Sequence, residues 1–125
     1  LLLFVDNQSG LPIYDQIYTQ IKNLILKGEL TANDPLPSIR SLAKELRISV
    51  ITTKRAYEEL EKEGFVYTVP SKGCFVAQQN MKKLRQEKLK QLREKLAEAA
   101  AMAKDFGLTV EEMSEILQEE MEELR

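Results

Sequence analysis

The chain has 125 residues, 43% hydrophobic and 30% charged, a balance that excludes a disordered segment and fits one small domain or a smaller domain with a helical appendage. It has no histidine and a single cysteine, Cys74, which excludes an intrachain disulfide and argues against a metal site. The net charge is −2, from 18 basic and 20 acidic residues, but the signs are segregated. From Leu36 to Tyr57 stand Arg40, Lys44, Arg47, Lys54 and Arg55 against Glu45 alone, whereas Asp105 to Leu124 holds eight acids and no base. A polyanion feels local sign, so the average does not argue against nucleic acid.

Leu1 to Val5 is apolar and β-prone, which predicts a short edge strand or docking arm before the turn chemistry of Asp6 to Gly10. The run is too short for a membrane span or a signal-peptide core and has no basic residue before it, so a cytoplasmic protein is expected. Pro12 suits the first turn of a helix whose apolar side is Ile13, Ile17, Ile21, Leu24 and Ile25, with Gly28 as its left-handed terminator. Thr31 to Pro37 reads as a loop, with two prolines, an asparagine and an aspartate.

Ser38 then serves as an N-cap to a short helix with Ile39, Leu42, Ala43 and Leu46 on one side, and Ser49 caps the next. Two helices three or four residues apart describe a helix-turn-helix. Thr53, Ala56, Tyr57 and Leu60 form the inner side of the second. Its other side presents Val50, Ile51, Thr52, Lys54 and Arg55 to solvent or a ligand. After Gly64, two β-prone runs, Phe65 to Val69 and Cys74 to Ala77, are joined by Pro70 to Gly73. A helix-turn-helix followed at once by a hairpin is the winged-helix arrangement.

From Asn80 no strand signal returns. Leu89, Leu92, Leu96, Ala99 and Ala103 alternate three and four apart along one long helix, a narrow seam suited to another helix. Phe106 and Gly107 break it. Thr109 with Glu112 is a capping box and Leu108 with Met113 a hydrophobic staple, opening a last helix whose apolar side is Met113, Ile116, Leu117, Met121 and Leu124. Two such helices cannot cover both faces by themselves, so a second copy of the chain is the expected cover. The expected fold is α+β: a winged helix-turn-helix domain over 1–78 and a two-helix dimerisation domain over 79–125.

The motifs PIYDQI, LPSIRSLAKEL, TTKRAYEELEKEGFV and KGCFV, across residues 11 to 77, resemble the GntR family of transcriptional regulators; the tail, with GLTVEEMSEIL, is similar more loosely to its YtrA subfamily. The resemblance implies a regulator, a repressor in the first instance, that binds double-stranded operator DNA as a homodimer, often near ABC-transporter genes. It implies DNA contacts at Arg40, Ser49, Thr52 and Lys54, and at Lys72 and Gly73 of the wing. Three departures stand out: Arg47 replaces a turn glycine, Val50 and Ile51 replace polar or proline positions, and Ser71 replaces the first wing glycine.

Ser38 and Ser49 put helix N-termini where backbone N–H groups meet phosphate, and Arg40, Lys54 and Lys72 supply charge. Aliphatic Val50 and Ile51 offer base edges only contact with thymine methyl groups, so these two, with Arg47, are where an operator preference of this chain's own is expected. The dimerisation set is Leu89, Leu92, Leu96, Ala99, Ala103, Met113, Ile116 and Leu117. No cofactor is expected, and the sequence specifies no small-molecule effector. The competing reading is a protein-interaction module that uses its winged helix to bind protein, favoured by the acidic balance and by Val50 and Ile51. Enzymatic chemistry is not expected, because without histidine the remaining acids lie mostly on a solvated helix face.

Overall fold

A computed structural model describes residues 1–124, the Met81 side chain excepted. The elements are α1 (Ile13–Leu26), α2 (Ile39–Leu46), α3 (Val50–Lys62), β1 (Val66–Val69), β2 (Gly73–Val76), α4 (Met81–Asp105) and α5 (Val110–Glu123). The chain divides into two compact units, Leu1–Leu84 and Arg85–Arg125.

In the first unit the predicted apolar stripes meet. Ile17 and Ile21 of α1, Leu42 of α2 and Leu60 of α3 are fully buried, and Val76 of β2 closes the same core. Burial of each such side chain contributes about 1.5–3 kcal/mol. The N-cap serines act as read: Ser38 Oγ accepts from the N–H of Ser41 and Ser49 Oγ from that of Thr52, both at 3.0 Å.

Three regions sharpen or correct the expectation. Of the two alternatives for Leu1 to Val5, an edge strand or a docking arm, the arm is the one formed. It is an arm in which Leu3 is buried, and two glutamines one turn apart on α1 hold its backbone. Gln20 pairs with the N–H and carbonyl of Phe4, and Gln16 does the same for Asp6. These amides satisfy the backbone as a neighbouring strand would.

The second difference is the loop before α2. Asn33 to Leu36 runs antiparallel beside β2, with Asn33 N–H donating to Val76 O, Val76 N–H to Asp34 O and Leu36 N–H to Cys74 O. The two prolines hid this segment, because proline cannot donate and is tolerated only at a sheet edge. Third, Arg55, exposed as expected, has a partner within the fold: its guanidinium lies 3.7 Å from the ring centre of Tyr14, tying α3 to α1.

In the second unit α4 ends at Asp105, just before the turn at Gly107, and α5 starts with the expected capping box of Thr109 and Glu112. Ala103 is buried at this corner, but no residue of α5 is. Leu96, Ala99, Met113, Ile116 and Leu117 instead line an open apolar groove of about 670 Å³. Among the described residues no helix is long and apolar enough to cross a membrane, and no cluster of His, Cys, Asp and Glu is arranged to hold a metal ion.

Candidate nucleic-acid interface

The two departures at glycine positions have a common geometry. Arg47 ends α2 with φ 56°, and its N–H donates to Lys44 O while Ile48 N–H reaches back to Ala43 O. The same pair of bonds ends α3 around Gly64 and α4 around Gly107. Arg47 therefore occupies a left-handed position that glycine fills elsewhere in this chain, at a cost of about 1 kcal/mol. In the wing, Lys72 N–H donates to Val69 O across Pro70 and Ser71, and Ser71 has φ 68°. That is the position where a type II turn favours glycine. Both side chains are exposed, Arg47 at the bend between the two helices and Ser71 at the tip of the wing.

Ser38, Arg40, Lys54 and Gly73 line one depression of about 480 Å³, where the start of α2, the outer side of α3 and the wing converge. Its floor is Pro37, Ile39, Tyr57 and Cys74. Arg40, in the first turn of α2, is exposed, and Lys54 is held loosely by Glu58 at 3.8 Å, with both side chains 63% exposed. Such an ion pair contributes about 0–1 kcal/mol and yields readily to a phosphate. The other carboxylate lining the depression, Glu61, accepts from Thr68 N–H at 3.1 Å and so pins the wing to α3.

Ser49, Val50, Ile51 and Thr52 lie outside this depression, on the first turn of α3. Val50 is 46% and Ile51 81% exposed, an arrangement that packing does not require. Ser49 Oγ donates to Thr52 Oγ1 at 2.7 Å, which leaves the Thr52 hydroxyl hydrogen to donate outward. Lys72 is exposed beside Gly73 at the wing tip.

The floor carries two groups whose part was not read from sequence. Tyr57 is buried, and its hydroxyl donates to Pro37 O at 2.7 Å; burial, and secondarily the neighbouring Cys74, push its phenol well above the usual range. Cys74 is half-buried, and burial raises its thiol too, with Glu61 adding to the rise and hydrogen bonds from Thr68 and the Phe75 backbone opposing it. It stays a neutral thiol near pH 7. The available signal was a tyrosine on the inner side of α3, since a buried phenol needs a partner.

The model of the bacterial regulatory proteins of the gntR family matches residues 13–76. The HTH-type transcriptional repressor YtrA of Bacillus subtilis (strain 168) is 33% identical over 118 residues, covering 94% of this chain and 91% of that protein. A transcriptional regulator from Oenococcus oeni has a similar structure, with TM-score 0.80 and 29% identity over 94% of this chain and 97% of that one. The DNA-binding domain of AraR, in complex with operator ORX1, matches with TM-score 0.55 and 28% identity, covering 62% of this chain and 99% of that one. The span from α1 to β2 holds the whole depression, and the chain belongs to the gntR family of bacterial regulatory proteins, non-enzymatic transcriptional regulators with a DNA-binding winged helix-turn-helix.

Proposed function

We propose that this protein is a homodimeric repressor that binds an inverted-repeat operator, with one winged helix on each half-site. The convergence of Ser38, Arg40, Lys54 and Gly73 on one depression carries the reading. Three elements put two cations and a helix N-terminus on a common side, the arrangement that meets a phosphate backbone. α3 then directs Val50, Ile51 and Thr52 into the major groove, and Lys72 borders the minor groove. The similarity to the AraR DNA-binding domain, which is known in complex with operator ORX1, supports operator DNA as the partner.

The second half of the proposal is the dimer. Leu89, Leu92, Leu96, Ile116 and Leu117 are between 42% and 52% exposed, which leaves an apolar surface that one chain does not cover. A second copy covers it through Leu89, Leu92, Leu96, Ala99, Met113, Ile116 and Leu117, Ala103 being already buried within one chain, and sets the separation of the recognition helices, about 34 Å for half-sites one helical turn apart. The resemblance to the YtrA subfamily makes an ABC-transporter operon the expected target. The two tasks divide around the start of α4, where the sequence-based boundary at 78 and the end of the first compact unit at Leu84 both fall.

Salt dependence of DNA binding tests the reading. Counterion release predicts a linear fall of log K with log salt, and Arg40→Ala lowers the slope by about 1 per half-site if Arg40 holds a phosphate. Binding that ignores salt would favour the protein-interaction reading, for which exposed Ile51 is the observation.

A further inference from the structure

Arg40 carries charge toward DNA only if the start of α2 is held in place relative to α3. The segment that leads into α2 has few anchors of its own, because Pro35 and Pro37 have no N–H to donate. It is strung between two elements: Leu36 N–H donates to Cys74 O of β2 at 2.9 Å, and Pro37 O accepts from the Tyr57 hydroxyl of α3 at 2.7 Å. Ser38 and Arg40 follow within three residues, so an error at Pro37 is passed directly to both. Tyr57 and Arg40 line the same depression, and Ser38 caps the helix between them.

We propose that Tyr57 is a positioning residue for DNA: its hydroxyl, bonded to the Pro37 carbonyl, fixes the start of α2 against α3 and so sets where Arg40 meets phosphate. This rests on the proposed docking of Arg40. The ring accounts for core packing, and the hydroxyl for the aim of α2. The two are separable, because Tyr57→Phe keeps the buried ring and removes only the donor.

The experiment is a double-mutant cycle on the full chain binding operator DNA recovered by selection, at one fixed salt concentration. Tyr57→Phe alone should weaken binding roughly fivefold, the scale of one net hydrogen bond. In an Arg40→Ala background the same change should cost less than about twofold, because the group it positions is gone. In a Lys72→Ala background it should again cost about fivefold, since the wing tip is held by other bonds. Circular dichroism checks that each variant is folded. If Tyr57→Phe unfolds, 4-fluorophenylalanine at position 57 fills the hydroxyl's volume without donating and takes its place in the cycle.

A purely structural tyrosine would give additive losses in all three backgrounds, which would overturn the inference. Unchanged binding by Tyr57→Phe would overturn it equally. If Arg40→Ala itself binds as tightly as the parent chain, the docking reading beneath it fails instead, and the cycle distinguishes the two failures.

Discussion

The two units of this chain treat apolar residues in opposite ways. In Leu1–Leu84 the isoleucines of α1 and the inner sides of α2 and α3 are spent on one core, and little that is large and apolar is left over except Val50 and Ile51 on α3, Tyr67 on the wing, and Leu1, Leu2, Phe4 and Leu11 near the arm. Among the described residues of Arg85–Arg125 only Ala103 is buried, while Leu89, Leu92, Leu96, Ile116, Leu117 and Met121 remain open. A core that closes within one copy specifies a domain. A seam that does not close specifies a need for something to close it, and the proposed dimer follows from that difference.

Cutting the chain after Leu84 should have the largest effect on DNA binding. The remaining unit keeps its core, including Leu84, which packs against it, and is expected to unfold cooperatively as a monomer. Losing the second half-site should weaken operator binding by about 100-fold or more, the usual scale of bivalence. Titration of the shortened and intact chains on the same DNA reads this, and equal affinity would contradict the division of labour.

Core and seam substitutions should also behave differently. Leu42→Ala removes a side chain only 1% exposed and should destabilise the fold by about 2–5 kcal/mol at any protein concentration. Leu92, 52% exposed, should matter only through assembly. Leu92→Ala should therefore lower the melting temperature only at concentrations where the parent is dimeric, which a dilution series of thermal scans detects.

Most of the N-terminal core was legible because its helices repeat apolar residues at the helical period and two of them, α2 and α3, begin with serine caps. What stayed hidden was backbone pairing that uses unexpected partners. Gln16 and Gln20 look like solvent-facing residues, yet their amides replace a strand for the arm. Asn33 to Leu36 has the composition of a loop and the hydrogen bonds of a strand. Of the site, the capping serines and the cations were readable one by one. The convergence of Ser38, Arg40, Lys54 and Gly73 was not, since it depends on how the wing folds back on α3, and neither was the contact between Tyr57 and Pro37, which lie 20 residues apart.

A smaller effect comes from pH. Tyr57 is held neutral in the fold while the unfolded chain ionises near pH 10, so above that pH the unfolded state binds fewer protons and stability falls as pH rises. The expected slope is about 1.4 kcal/mol per pH unit from Tyr57, with Cys74 adding in the same direction from somewhat lower pH. Denaturant melts from pH 8 to 11 should show the loss, and Tyr57→Phe should flatten its upper part.

The smallest change separates fold from function within one unit. Arg47→Gly relieves the left-handed backbone at φ 56° and should stabilise the protein by about 0.5–1 kcal/mol. It also removes an exposed cation between the two helices, so DNA binding should weaken by about twofold to fivefold while the melting temperature rises. Movement of both in the same direction would remove Arg47 from the interface.

In the proposed complex two winged helices read one two-fold symmetric DNA site. Selection of bound fragments from a random pool by the intact chain tests it most directly. The expected result is an enriched inverted repeat whose half-site centres are separated by about one helical turn, roughly 10 base pairs, or a multiple of it. Enrichment of a single unrepeated half-site, or of no sequence at all, would contradict it.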